Sequence, residues 1–141
     1  MPIDPKNPVV LLCAAGMERG GEPDEARRLF QQAWDARRND YDAAIAAHYL
    51  ARHQLSPHET LRWNSLAVTH AERVADGRTT ELFPSLYLNL ASSLTALGRL
   101  DEARAIIARA KQHLESLRAD GYRDFLAHGI DRLKARLENT T

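Results

Sequence analysis

Gly21-Glu22-Pro23-Asp24-Glu25-Ala26-Arg27 returns further along the chain as Gly98-Arg99-Leu100-Asp101-Glu102-Ala103-Arg104. The same shift, without a gap, pairs residues on both sides of this stretch. Upstream, Val10 matches Tyr87, Cys13 matches Leu90, Ala14 matches Ala91 and Met17 matches Leu94. Downstream, Phe30 matches Ile107 and Ala33 matches Ala110. Large apolar residues three and four positions apart line one side of a helix. Small residues such as Ala14, Ala91, Ala26 and Ala103 would let a partner helix come close, and Phe30 and Ile107 would fill the space one turn on. Glycine can close a helix because it readily takes the left-handed conformation there.

Outward from this core the apolar residues keep the spacing of three and four, and no strand-like alternation appears. Seven helices are predicted, at about 9–20, 23–38, 41–55, 57–76, 79–97, 101–119 and 121–138. The breaks between them are short, at Gly20-Gly21, Asn39-Asp40, Ser56, Gly77, Gly98 and Gly121. Short connections make successive helices antiparallel neighbours. Ser56 ahead of Pro57, with Glu59 three places on, is a capping-box pattern. Asp24-Glu25 and Asp101-Glu102 place negative charge in a first helical turn, where the helix dipole favours it. Adjacent carboxylates point about 100° apart on a helix, so the dipole accounts for these pairs better than acid–base chemistry does. Pro2, Pro5 and Pro8 mark residues 1–8 as a flexible leader.

The pattern of Tyr87, Leu90, Ala91, Leu94, Gly98, Ala103, Ile107 and Ala110 resembles the tetratricopeptide repeat (TPR). The stretch from Val10 to Ala33 resembles it too, with Cys13 and Met17 as substitutes. The repeat's closing proline is missing from both. Between the two matching stretches there is space for a diverged middle unit, with Thr60, Asn64 and Ala67 in second-helix places and an apolar stripe of Trp63, Ala67, His70 and Val74. The expected fold is therefore all-α: a right-handed superhelical array of antiparallel helix pairs in a single domain at 9–141. Its units fall at about 9–38, 41–77 and 79–119, followed by a capping helix at 121–138. Tyr122, Phe125, Leu126, Ile130, Leu133 and Leu137 would cover the end of the array. Dimerisation through that last helix is the alternative use of its stripe.

The resemblance implies a non-enzymatic module that binds a peptide or helix of a partner protein in a concave groove lined by the first helix of each pair. Carried over by position, the groove residues would be Ser85, Leu88, Asn89, Ser92 and Thr95. His48 and Arg52 are the counterparts in the middle unit, and Leu11, Ala15 and Glu18 in the first. Leu88 and Ser92 stand where basic residues would serve to grip an acidic tail, which argues against such a ligand. The competing reading is a self-associating scaffold or a regulatory domain that senses a small effector.

Other functions find little support. The 19 basic and 19 acidic residues cancel, so no field of one sign draws the chain to nucleic acid or anionic lipid. The longest uncharged run, Leu82 to Gly98, includes Pro84, Ser85 and Asn89, so it is too short and too polar for a membrane span. Val9 to Gly16 is short for a secretion signal, and Asp4 lies beside Lys6 ahead of it, so a cytoplasmic location is expected. His48, His53 and His58 are five apart and cannot share a helix face, so no metal site is expected. Cys13 falls on a packing face and reads as a small hydrophobe. The glycines do not form a phosphate-binding loop, and neither a cofactor nor a catalytic constellation is expected.

Overall fold

The computed structural model describes residues 6–139. These residues form helices joined by short connections, and among them there is no strand. The chain separates into two compact units, residues 1–78 and 79–141.

In the first unit α1 (Pro8–Glu18) and α2 (Pro23–Asp35) form one pair, and α3 (Asp40–Leu50) and α4 (Pro57–Glu72) a second. Residues 1–5 of the expected leader lie outside the described residues, but Asn7 and Pro8 belong to the helix start. The Asn7 side chain accepts from the Val9 amide at 2.9 Å, and Pro8 occupies a first-turn position where no amide is needed. Ser56 caps α4 as its sequence suggests, accepting from the Glu59 amide at 3.1 Å. The helices α2, α3 and α4 stop short of their predicted ends. A 3-10 turn, Ala51–His53, extends α3.

The α1–α2 crossing is tighter than the repeat pattern suggests. A Cβ built on Gly16 would meet the Phe30 ring in hard overlap, so α2 comes this close only because Gly16 has no side chain. Burying that ring contributes ~1.5–3 kcal/mol. The residue expected to allow the approach, Ala14, is exposed, and so is Met17, at 54%. The inward stripe of α1 is Val9, Cys13 and Gly16: of the expected Val10, Cys13, Ala14 and Met17 it keeps Cys13, while Val9 and Gly16 replace the others. Helix α3, packed by α1, α2 and α4, buries every residue from Tyr41 to Ala47. Trp63 of α4 meets Trp34 of α2 edge-on at 4.9 Å, and the His70 imidazole donates to Asp40 at 2.8 Å. Thus the diverged middle unit packs through aromatic rings and Ala67, with Asn64 and Ala71 also buried.

In the second unit a 3-10 turn, Thr80–Leu82, leads into α5 (Phe83–Ala96), which pairs with α6 (Leu100–Leu114). Gly98 (φ 74°) ends α5: its amide bonds Thr95 at 3.0 Å and the Arg99 amide bonds Leu94 at 2.9 Å. This double closure requires the left-handed conformation. Gly21, its counterpart in the first unit, takes no such φ, because α1 has already ended at Glu18. Tyr87, Leu90, Ala91 and Leu94 are buried, as are Ala103, Ile107 and Ala110 of α6. The last helix, α7 (Gly121–Glu138), packs on α6 and α5 through Leu126, Ile130, Leu133 and Leu137. The sequence places Tyr122 and Phe125 on that covering face; in the structure both lie outside it, Phe125 being 68% exposed.

Candidate functional site

The first helices of the pairs share one burial frame. Val9, Cys13 and Gly16 in α1, Ala43, Ala47 and Leu50 in α3, and Leu86, Leu90 and Ser93 in α5 are all buried at the same four-then-three spacing. Leu126, Ile130 and Leu133 repeat it in α7. The frame identifies which residues are equivalent. Beside the buried positions of α5 lies a partly covered stripe: Ser85, Leu88, Asn89 and Thr95 are half-buried and Ser92 is exposed. The Thr95 hydroxyl donates back to the Ala91 carbonyl at 2.7 Å, and Asn89 also has a partner within the protein.

In α7 the same frame places Phe125, His128, Gly129 and Arg132 at that stripe's positions. The two stripes adjoin, since a Cβ on Gly129 would lie 3.1 Å from Leu88. Leu88 is therefore partly a packing residue between α5 and α7. A hollow of about 480 Å³ runs along α7, lined by Phe125, His128 and Arg132 with Gly121, Asp124 and Asp131. Sequence reasoning misses this α7 contribution by treating the helix as a cover or a dimerisation face. The signal lies in the spacing of Leu126, Ile130 and Leu133, which leaves Phe125 outside.

In the first unit the equivalent stripe is filled. Asp42, Ile45 and Ala46 of α3 stand where α5 has Ser85, Leu88 and Asn89, and all three are buried. The Asp42 carboxylate accepts from the Asn7 amide group at 2.7 Å and from the Arg38 backbone and guanidinium at 3.1 and 3.0 Å. Burial alone would raise its pKa, but these hydrogen bonds and the Arg38 charge outweigh that and hold it below the usual carboxylate range. Tyr49, matching Ser92, stacks on Phe30 with ring centres 5.4 Å apart. Arg52, matching Thr95, is exposed and lies over Tyr49 at 5.4 Å. His48 matches the close-packed Ala91 rather than a groove position. Burial, with the neighbouring Arg52 charge, pushes its imidazole down to about 4.

Among the described residues, no group of three His, Cys, Asp or Glu could hold a metal ion. Burial pushes the Cys13 thiol up to about 12, far from a reactive thiolate. No helix among the described residues is long and apolar enough to cross a membrane.

No protein-family model and no curated protein matches the sequence. The crystal structure of a TPR-like protein from Chlorobium tepidum superimposes with a TM-score of 0.75, over 93% of this chain and 94% of that one. The fold is TPR-like. Sequence identity to that protein is 19%, so the likeness concerns the fold alone. Within the first unit the burial frame keeps the ~34-residue period of a tetratricopeptide unit, from Val9 to Ala43, whereas the intervals from Ala43 to Leu86 and from Leu86 to Leu126 are longer.

Proposed function

We propose that this chain is a non-catalytic interaction module that takes a peptide or amphipathic helix of a partner protein on the α5–α7 face. One observation carries the reading: apart from Phe83 and Ala96, α5 is buried except along the stripe of Ser85, Leu88, Asn89, Ser92 and Thr95, and α7 meets that stripe at Gly129 and carries the exposed Phe125 and Arg132 on the same side. Hydroxyl and amide groups suit a partner's backbone, while an exposed phenyl ring supplies an apolar anchor of the kind that dominates interfaces. Arg52 and the exposed Leu11 and Glu18 of the first unit are secondary candidates. A buried thiol at Cys13 suits a reducing, cytoplasmic setting.

The test is affinity capture from source cells with wild type and an Asn89→Ala/Phe125→Ala double variant. Both side chains are at least partly exposed, so the variant should melt within a few degrees of wild type. It should lose its captured partner about tenfold or more. Identical capture by a folded variant would remove the face from consideration.

A further inference from the structure

Helices α6 and α7 are joined as α2 and α3 are. Arg27 of α2 pairs with Asp24 and donates to the carbonyl of His53, at the end of the turn that extends α3. Arg104, its counterpart in the repeat, pairs with Asp101 and donates to the carbonyl of Leu137 near the end of α7. In the first unit a further helix lies over this arrangement: α4 meets α2 through Trp63 and Trp34, and meets α3 through His70 and Asp40. In the second unit the corresponding place is an open groove of about 470 Å³, with Ile107, Ala108 and Leu137 at its floor.

The rim of that groove is chemically different from its counterpart. Lys111 takes the place in the repeat that Trp34 holds in the first unit, where α4 is received, and Lys134 faces it from α7. Among the described residues neither lysine makes a hydrogen bond or an ion pair. Glu115 and Glu138 mark the ends, and Arg104 is already committed to Asp101 and Leu137. An uncharged apolar helix laid here would strip water from two ammonium groups without compensation. A helix bearing carboxylates at its edges would instead form charge-assisted bonds with both.

We propose that the α6–α7 groove is a second docking surface, which takes an amphipathic helix of a partner protein, apolar toward Ile107, Ala108 and Leu137 and acidic toward Lys111 and Lys134. From Arg104 to Glu115 the groove runs ~16 Å, about three helical turns, which sets the length of the occupant.

Three labelled peptides with one leucine pattern at helical spacing, flanked by glutamate, glutamine or lysine, are titrated against the full chain by fluorescence anisotropy. The glutamate peptide should bind about tenfold more tightly than the glutamine peptide, and the lysine peptide least. A Lys111→Glu/Lys134→Glu variant should reverse that order, while Asn89→Ala/Phe125→Ala leaves it intact. An unchanged order in the charge-reversed variant, or no binding by any peptide, overturns the proposal. Loss of binding in Asn89→Ala/Phe125→Ala would place the peptide on the α5–α7 face; the proposal would then fail and the functional reading above would stand. Sedimentation showing a dimer that the charge reversal dissolves would assign the groove to a second copy and overturn it equally.

Discussion

Helices α3 and α5 hold the same place in their pairs and bury the same frame, yet their inner stripes are opposite in kind. In α3 the stripe is occupied by the protein itself: Asp42 is tied to Asn7 and Arg38, Ile45 and Ala46 are buried, and Tyr49 stacks on Phe30. In α5 the stripe sets Leu88 among small polar side chains and is only half-buried, with Ser92 exposed. A repeat frame thus determines where residues face, while the few side chains on that face determine whether it is core or binding surface.

The largest expected effect tests the closed side. Asp42→Ala removes the acceptor of three hydrogen bonds and leaves a buried amide and a guanidinium without their partner, which should cost about 3 kcal/mol. Ser85→Ala, at the equivalent place in α5, should stay within ~0.5 kcal/mol. Urea unfolding of both variants measures the difference; equal losses would erase the distinction between the two stripes.

The edge of the open stripe can be sharpened at neighbouring residues. Ala91→Leu overfills a crossing where Ala91 is fully enclosed, and should lower stability by about 1–3 kcal/mol. Ser92→Leu, at the next residue and exposed, should change it by no more than ~0.5 kcal/mol. Thermal melting that ranks the two the other way would mean the stripe is misplaced by one position.

The effect that is smallest at neutral pH concerns His48, the counterpart of Ala91. Its folded pKa, about 4, lies below the ordinary 6.5, so the unfolded chain takes up the proton first as the solution is acidified. His48 therefore has no effect on stability above pH 6.5 and lowers it progressively between pH 6.5 and 4. His48→Gln should flatten that slope, by up to about 3 kcal/mol at pH 4. Stability profiles of the two proteins that run parallel through this window would show that the ring is solvated.

Much of this architecture is legible in the residues. The internal repeat anticipates the buried Ala26, Phe30 and Ala33 and their partners Ala103, Ile107 and Ala110, because second helices are packed alike in both units. It also anticipates Tyr87, Ala91 and Leu94. Val10, Ala14 and Met17 carry the same pattern, but only one side of α1 is packed, so they remain outside its buried stripe. His48 looks like a groove residue in the sequence because the middle unit has no glycine break to set its register. Tyr49 and Arg52 occupy the places in question. Phe125 looks like core because an apolar residue at helical spacing reads the same whether or not a neighbour covers it.

The sequence by itself determined the helices, their short connections and the pairing that gives a TPR-like fold, since periodicity, caps and small crossing residues act locally. The uncovered faces were decided only by tertiary structure. Whether α1, α3, α5 or α7 shows an apolar residue to water depends on how many helices pack around it, and that number is a property of the assembled chain rather than of any helix.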